Sequence, residues 1–454
     1  MPGILPELLL SLAVLILVVY GLRRWILKVT IMMLIIGVWL RCWGKEEGAS
    51  MGDYGWLLTS SWVDISKVML VIACFSLLLG YSYTNQDREE GDSCILLVFM
   101  VLFGSFLLVS SVNLVGIYLA LELQTFILFI LVAKTNSAYG TEAGLKYLVL
   151  GAVSSGLFLF GGALLYGVSG DTSVQVINSV LMGDVGKTFM TISFLFKLSA
   201  SPFHMWAPDV YEGAPTLTTA LLVLIPKIGV YTVLVQVGLV RNVVLFCGGI
   251  SIIYGAVGAL NQTKIKRLLA YSGIGHMGFI LLGVGIGSFE SLQASLIYMI
   301  LYMVMSVCVF SVLLSLQLTR VIIMDVSSLS RYNFLIAFTL GLTVFSTAGI
   351  PPLAGFLGKW WVLLSGMSSG YFLICMAVVI ASVIAGVYYV RIVQIIYFTN
   401  SFLGTWPKVI HRFEVLPFRK SIPLGAAIFL LMFLMMSPNW MLQMAHDATI
   451  SFYI

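Results

Sequence analysis

Apolar stretches of about 17–25 residues, the length that crosses a bilayer as a helix, follow one another along the whole chain with short polar links between them. They run from Ile4 to Leu22, Trp25 to Trp43, Ile65 to Ser82, Ser93 to Val109 and Ser111 to Ala133. Next come Ala143 to Val168, an interrupted stretch from Lys187 to Tyr211, Leu217 to Gly238, Asn242 to Leu260 and Leu268 to Gly287. The last are Leu292 to Leu318, a second interrupted stretch from Asn333 to Gly366, Tyr371 to Phe398 and Ser421 to Met441. The pattern predicts an all-α polytopic membrane protein of about fourteen transmembrane helices.

The two interruptions organise the rest. The segment TISFLFKLSASPFHMWAPDVYEGAPT, Thr191 to Thr216, sets Lys197 before Pro202 and Pro208. Proline lacks an N–H and disfavours helix in the residue before it, so the helix breaks there. TAGIPPLAGFLGKWW, Thr347 to Trp361, repeats the arrangement with Lys359 after the break. Proline-interrupted segments at matching positions in two halves point to a transporter built from internal repeats. If each break falls in the fourth helix of a five-helix unit, the units occupy 93–238 and 242–398. Five is odd, so the second unit enters the membrane inverted, with discontinuous helices 7 and 12. Residues 1–92 then form three preceding helices and 399–454 a loop and the last helix.

Composition narrows the class. Of 454 residues, 60% are hydrophobic and only 9% charged, far below the roughly 25% charged residues of soluble domains. The net charge of +5 is spread over short links and forms no stripe for nucleic acid. It reports topology instead: fifteen basic residues fall on one side of the layout and five, Arg41, Lys45, Lys67, Lys187 and Arg241, on the other. That bias places both termini opposite the basic side; the link from Asp87 to Asp92, with four acids, weighs little in this rule. Cys42, Cys74, Cys94, Cys247, Cys308 and Cys375 form no CxxC pair or iron–sulfur run and read as small apolar residues. His204, His276, His411 and His446 offer no helical pair for haem. No metal or redox cofactor is expected on this chain. The amino terminus, MPGILPELLL, reads as a retained first span.

Charges inside spans are costly, about 2.5–3.5 kcal/mol each on an insertion scale, and are functional candidates by default. Glu122 reads as the one acid deep within a span, beside four lysines, Lys146, Lys197, Lys227 and Lys359. Lys227 follows Pro226, which loosens its helix. Lys146 lies nearer a span end, where snorkelling is a rival role, and Glu122 could serve simply to offset a buried lysine. His276 could titrate or merely bond a neighbouring helix. His204 and Tyr211 flank the first break, with Trp206 a lining or packing residue. Gly283, Gly285 and Gly287 lack the strand and sixth-position glycine of a dinucleotide loop, and read as packing or turn residues.

SPFHMWAPDVYEGAPT (Ser201 to Thr216), EAGLKY (Glu142 to Tyr147), KRLLAYSGIGHMGF (Lys266 to Phe279) and GIPPLAGFLGKW (Gly349 to Trp360) together resemble the antiporter-like membrane subunits of respiratory complex I. Within that family the nearest branch is subunit 2, subunit N in bacteria. The resemblance extends from about Ser93 to the end, and the tail from Tyr388 through Trp406 looks mitochondrial. It implies a proton-translocating module whose path residues are Glu122 with Lys197, then Lys227 and Lys359, opening of the Glu122–Lys197 pair being the switch. NADH, flavin, iron–sulfur clusters and ubiquinone would be held by other subunits, which would be its partners along with lipid, in the mitochondrial inner membrane or a bacterial plasma membrane. The end at Ile454 without a lateral helix fits subunit 2. The alternative is a subunit of a cation/proton antiporter or of a related membrane-bound hydrogenase complex.

Overall fold

With no water in the bilayer core, a crossing segment satisfies its backbone only within itself, as helix. The computed structural model describes residues 5–20, 50–51, 57–80, 88–134, 137–179, 183–238, 240–316, 322–327, 329–398 and 418–453. The predicted second span, Trp25 to Trp43, with Cys42, and His411 in the link 399–417 lie outside the described residues.

The chain begins with α1 (Leu5–Tyr20), a two-residue antiparallel hairpin of β1 (Ser50–Met51) and β2 (Leu58–Thr59), then α2 (Ser61–Gly80), α3 (Arg88–Ser110), α4 (Leu114–Ala133) and α5 (Ala138–Ser169). After a short helix, Val174–Ser179, come α6 (Asp184–Lys197), α7 (Trp206–Gly213), α8 (Thr216–Gln236), α9 (Arg241–Ala259), α10 (Ile265–Ile286) and α11 (Phe289–Leu316). A 3-10 turn (Ile323–Val326) and another short helix (Leu329–Tyr332) lead to α12 (Phe334–Ala348), α13 (Ala354–Ser368), α14 (Phe372–Phe398), α15 (Phe418–Met436) and α16 (Asn439–Tyr453). Among the described residues nine helices are long and apolar enough to cross a bilayer, or ten if α15 and α16 count as one bent span.

α8 and α11 form the centre. α8 packs against α2, α3, α4, α6, α10 and α11, and α11 against α2, α8, α10, α12, α13, α15 and α16. Nearly every side chain of both is buried. Outer helices keep one apolar face outward, as on α14, where Leu373, Met376, Ile380, Val383 and Val387 are exposed.

Three expectations need correction. The last span does not run straight to Met441: the chain turns by 86° after Met436, at Ser437–Pro438, where proline cannot continue the ladder. α16 then folds back on α2, with Ser61 bonding Ser451 (2.5 Å) and Phe452 against Trp62. Lys67 is not a link residue: α2 starts at Ser61, four residues before the predicted span, and Lys67 is only 1% exposed. Glu122 is not the one acid set within a span: Glu122 is half-buried, whereas Glu7 of α1 is 4% exposed and pairs with Lys67. Both sit close to span ends in the sequence, where hydropathy cannot separate a snorkelling charge from an inward one. Gly283 and Gly285 pack against Ser295 and Leu245, and Gly287 ends α10.

Candidate functional site

At the first break α6 ends on Lys197, and Ser199 turns the chain with φ 58°, in the left-handed region. The Ser201–Pro202 peptide is cis, as is Pro351–Pro352 in the second break. Trp206, opening α7, donates its indole N–H to the Phe196 carbonyl (3.0 Å), satisfying one acceptor freed at the end of α6. Lys197 therefore sits in the last turn of a half-helix, where the carbonyl ends favour a cation. Its Nζ is buried and makes no hydrogen bond to protein. Glu122, on α4, accepts from Thr125 Oγ1 (3.3 Å). Lys197 Nζ makes no hydrogen bond to Glu122. Between α4, α5, α6, α7 and α8 lies a cavity lined by Gln124, Thr125, Tyr147, Ser154, Lys197, Trp206 and Pro226.

Pro226 connects that cavity to the centre. Its neighbour Lys227 is 1% exposed, with Nζ 5.9 Å from the ring centre of Tyr211 on α7 and 5.7 Å from that of Tyr302 on α11. Aromatic faces attract a cation, but no protein group accepts a hydrogen bond from Lys227 Nζ, and the hydroxyls of Tyr211 and Tyr302 are also buried without partners. Buried polar atoms are usually bonded to protein or ordered water. A run of unsatisfied ones beside cavities suits water-mediated contacts.

On the far side of Lys227 a second cavity is lined by Ser272, Gly273, His276, Tyr302, Ser306, Thr347 and Tyr389. His276, on α10, is bracketed by the hydroxyls of Tyr298 (Nδ1, 2.9 Å) and Tyr389 (Nε2, 3.1 Å). Lys359, on α13, donates to the Ala348 carbonyl at the end of α12 (2.8 Å) and stands 5.6 Å from the Phe279 ring centre. Two glycines make that break possible. Gly349 has φ 81°, and a Cβ there would lie 2.9 Å from Lys359 Cδ; a Cβ on Gly355 would strike the Ser346 carbonyl.

Lys197 thus lines the first cavity and His276 the second, both cavities reach α8, and Glu122, Lys227 and Lys359 line neither. Lys146 and His204 stand apart. Lys146 is 40% exposed and bridges Glu142 (2.8 Å) and Asp209 (3.1 Å). Arg267 joins Asp209 (3.7 Å) and Glu212 (3.4 Å), and Lys264 also pairs with Glu212. His204 packs its ring on Tyr254 of α9, centroids 4.2 Å apart. Sequence reasoning missed Tyr298, Tyr302 and Tyr389; the first two are four apart in IYMILYMV, one face of a helix. Lys266, one of the fifteen basic residues assigned to links on one side, is buried and donates to the Ala214 carbonyl just past α7 (2.7 Å).

Residues 111–385 match the family described as NADH:quinone oxidoreductase/Mrp antiporter, TM. The chain is 54% identical over 378 residues to NADH-ubiquinone oxidoreductase chain 2 of Metridium senile, covering 80% of this chain and 98% of that one. It is 34% identical over 426 residues to NADH-quinone oxidoreductase subunit N of Parvibaculum lavamentivorans, covering 87% and 88%. Its fold is similar to a chain of respiratory complex I from Thermus thermophilus with bound aureothin, with a TM-score of 0.84 at 24% identity over 98% of this chain and 100% of that one.

Proposed function

The chain belongs to the NADH:quinone oxidoreductase/Mrp antiporter membrane family, and from that premise we propose that it is an antiporter-like subunit of NADH:ubiquinone oxidoreductase that moves protons across the membrane. The other subunits carry electrons from NADH to ubiquinone and hold every redox group; this chain holds none. The single observation that carries the reading is the set of buried polar atoms without protein partners, Lys197 Nζ, Tyr211 OH, Lys227 Nζ and Tyr302 OH, of which Lys197 lines the first cavity and Tyr302 the second.

In this reading 93–238 and 242–398 are two inverted five-helix units, each broken at its fourth helix, completing a layout of fourteen spans. Glu122 and Lys197 form the switch. With the pair closed, the carboxylate holds the Lys197 proton; with it open, water in the first cavity offers that proton a way to Lys227. Tyr302 and the His276 hydroxyl bridge lead on to Lys359, which donates to the Ala348 carbonyl. Quinone reduction elsewhere in the assembly biases the opening. The subunit works in the mitochondrial inner membrane, or a bacterial plasma membrane in a bacterial host, with neighbouring antiporter-like subunits and lipid around it, basic links towards the matrix or cytoplasm and both termini opposite.

The test is Lys227→Met in the whole complex, reconstituted into vesicles. Methionine keeps the length of the side chain and removes the charge. The expected result is an assembled, NADH-oxidising complex with a lower proton-to-electron ratio; an unchanged ratio would remove Lys227 from the path.

A further inference from the structure

One buried ion pair lies outside the row. Lys67 Nζ on α2 and Glu7 Oε1 on α1 meet at 2.5 Å with side chains 2% and 4% exposed, an ionic contact without the alignment of a hydrogen bond. A buried ion pair adds little stability over a well-packed apolar pair, because desolvating both ions offsets their attraction. Its presence inside a membrane bundle calls for another use.

Its depth indicates which. Trp62 of α2 packs on Tyr231 of α8, ring centroids 5.9 Å apart, and the Tyr231 hydroxyl bonds Ser295 of α11 at 2.8 Å. At the other end of α2, a Cβ on Gly80 would meet Leu314 of α11 at 3.4 Å. α2 and α11 therefore run parallel and in step, and α8 runs against both, since Tyr302 of α11 faces Lys227 of α8. Lys67 comes five residues after Trp62, so its backbone lies about 7.5 Å deeper. That is the level of Pro226 and Lys227.

We infer that Glu7 and Lys67 are a positioning pair for proton transfer at Lys227, an inference that rests on the reading of Lys227 given above. The pair fixes α2 in register, and α2 packs directly on both α8 and α11. Lys227 Nζ has no protein acceptor to hold it. Its place is set by the packing of Tyr211 and Tyr302, so a shift of α2 moves the pocket. Losing one partner leaves the other buried and uncompensated, and α2 has to move to relieve it.

The experiment compares four variants in the reconstituted whole complex: Glu7→Gln, the apolar double Glu7→Leu/Lys67→Met, the exchange Glu7→Lys/Lys67→Glu, and Lys227→Met. The expected result is normal assembly and NADH oxidation in the first two with a proton-to-electron ratio lowered about twofold, and recovery of the ratio in the exchange variant. Recovery on exchange is a readout that loss of packing alone would not give. A wild-type ratio in assembled Glu7→Gln overturns the inference. Should Glu7→Gln fail to assemble, a wild-type ratio in the apolar double overturns it equally, because then only the orphaned charge was harmful. If Lys227→Met pumps normally, the reading of Lys227 falls and this inference with it; if Lys227→Met is impaired and Glu7→Gln is not, the positioning role alone falls.

Discussion

Lys359 is tethered and Lys197 is not: one donates to the Ala348 carbonyl at 2.8 Å, while the other ends its helix with Nζ unbonded. The backbone beside them differs too. Gly349 holds φ 81° at the second break, whereas the first break asks the same left-handed turn of Ser199, φ 58°. A side chain in that region costs about 1–2 kcal/mol. Gly349→Ala is therefore expected to lower the thermal midpoint of the solubilised complex, more so because its Cβ crowds Lys359, and Ser199→Gly to raise it or leave it unchanged. Differential scanning of both variants decides the matter; equal shifts would mean that neither break is governed by its turn residue. At this scale the charges were legible and the tyrosines were not. Glu122, Lys197, Lys227 and Lys359 each interrupt an apolar run, which is a signal in itself. Tyr298, Tyr302 and Tyr389 look like ordinary membrane aromatics until their hydroxyls are placed around His276 and Lys227.

Among the elements, α7 runs from the first cavity to Lys227. It is eight residues long, and its Trp206 caps the end of α6 while its Tyr211 faces Lys227. Lys146 of α5 holds it from one side, and Lys264, Lys266 and Arg267 of and before α10 hold it from the other. Asp209 and Arg267 are each more than a third exposed, so a single pair here contributes at most about 1 kcal/mol and weakens with salt. Asp209→Asn is expected to leave the bundle folded but to quicken amide hydrogen exchange across residues 206–213, with high salt doing the same to the unaltered protein. Exchange unchanged under both conditions would mean that packing alone holds α7. The sequence placed the proline breaks well because proline acts locally. Pro438 carries the same local signal for the turn after Met436, but proline fixes only where the helix stops and not that α16 folds back onto α2.

For the whole molecule, family membership predicts its company. In a native gel of gently solubilised membranes the chain is expected to migrate within a very large assembly that oxidises NADH; migration as a small particle with sodium-dependent proton flux would favour the antiporter branch instead. α8 and α11 are enclosed by other helices on all sides, and that enclosure has an electrical meaning. The outer helices and the lipid beyond them act as insulation, so a charge arriving at Lys227 has little bulk water to screen it. At an effective dielectric constant near 20, two unit charges about 10 Å apart still interact by about 1.7 kcal/mol. That exceeds the energy of a tenfold change in protonation, so in the proposed proton path each ionisable group would register the occupancy of the next without touching it.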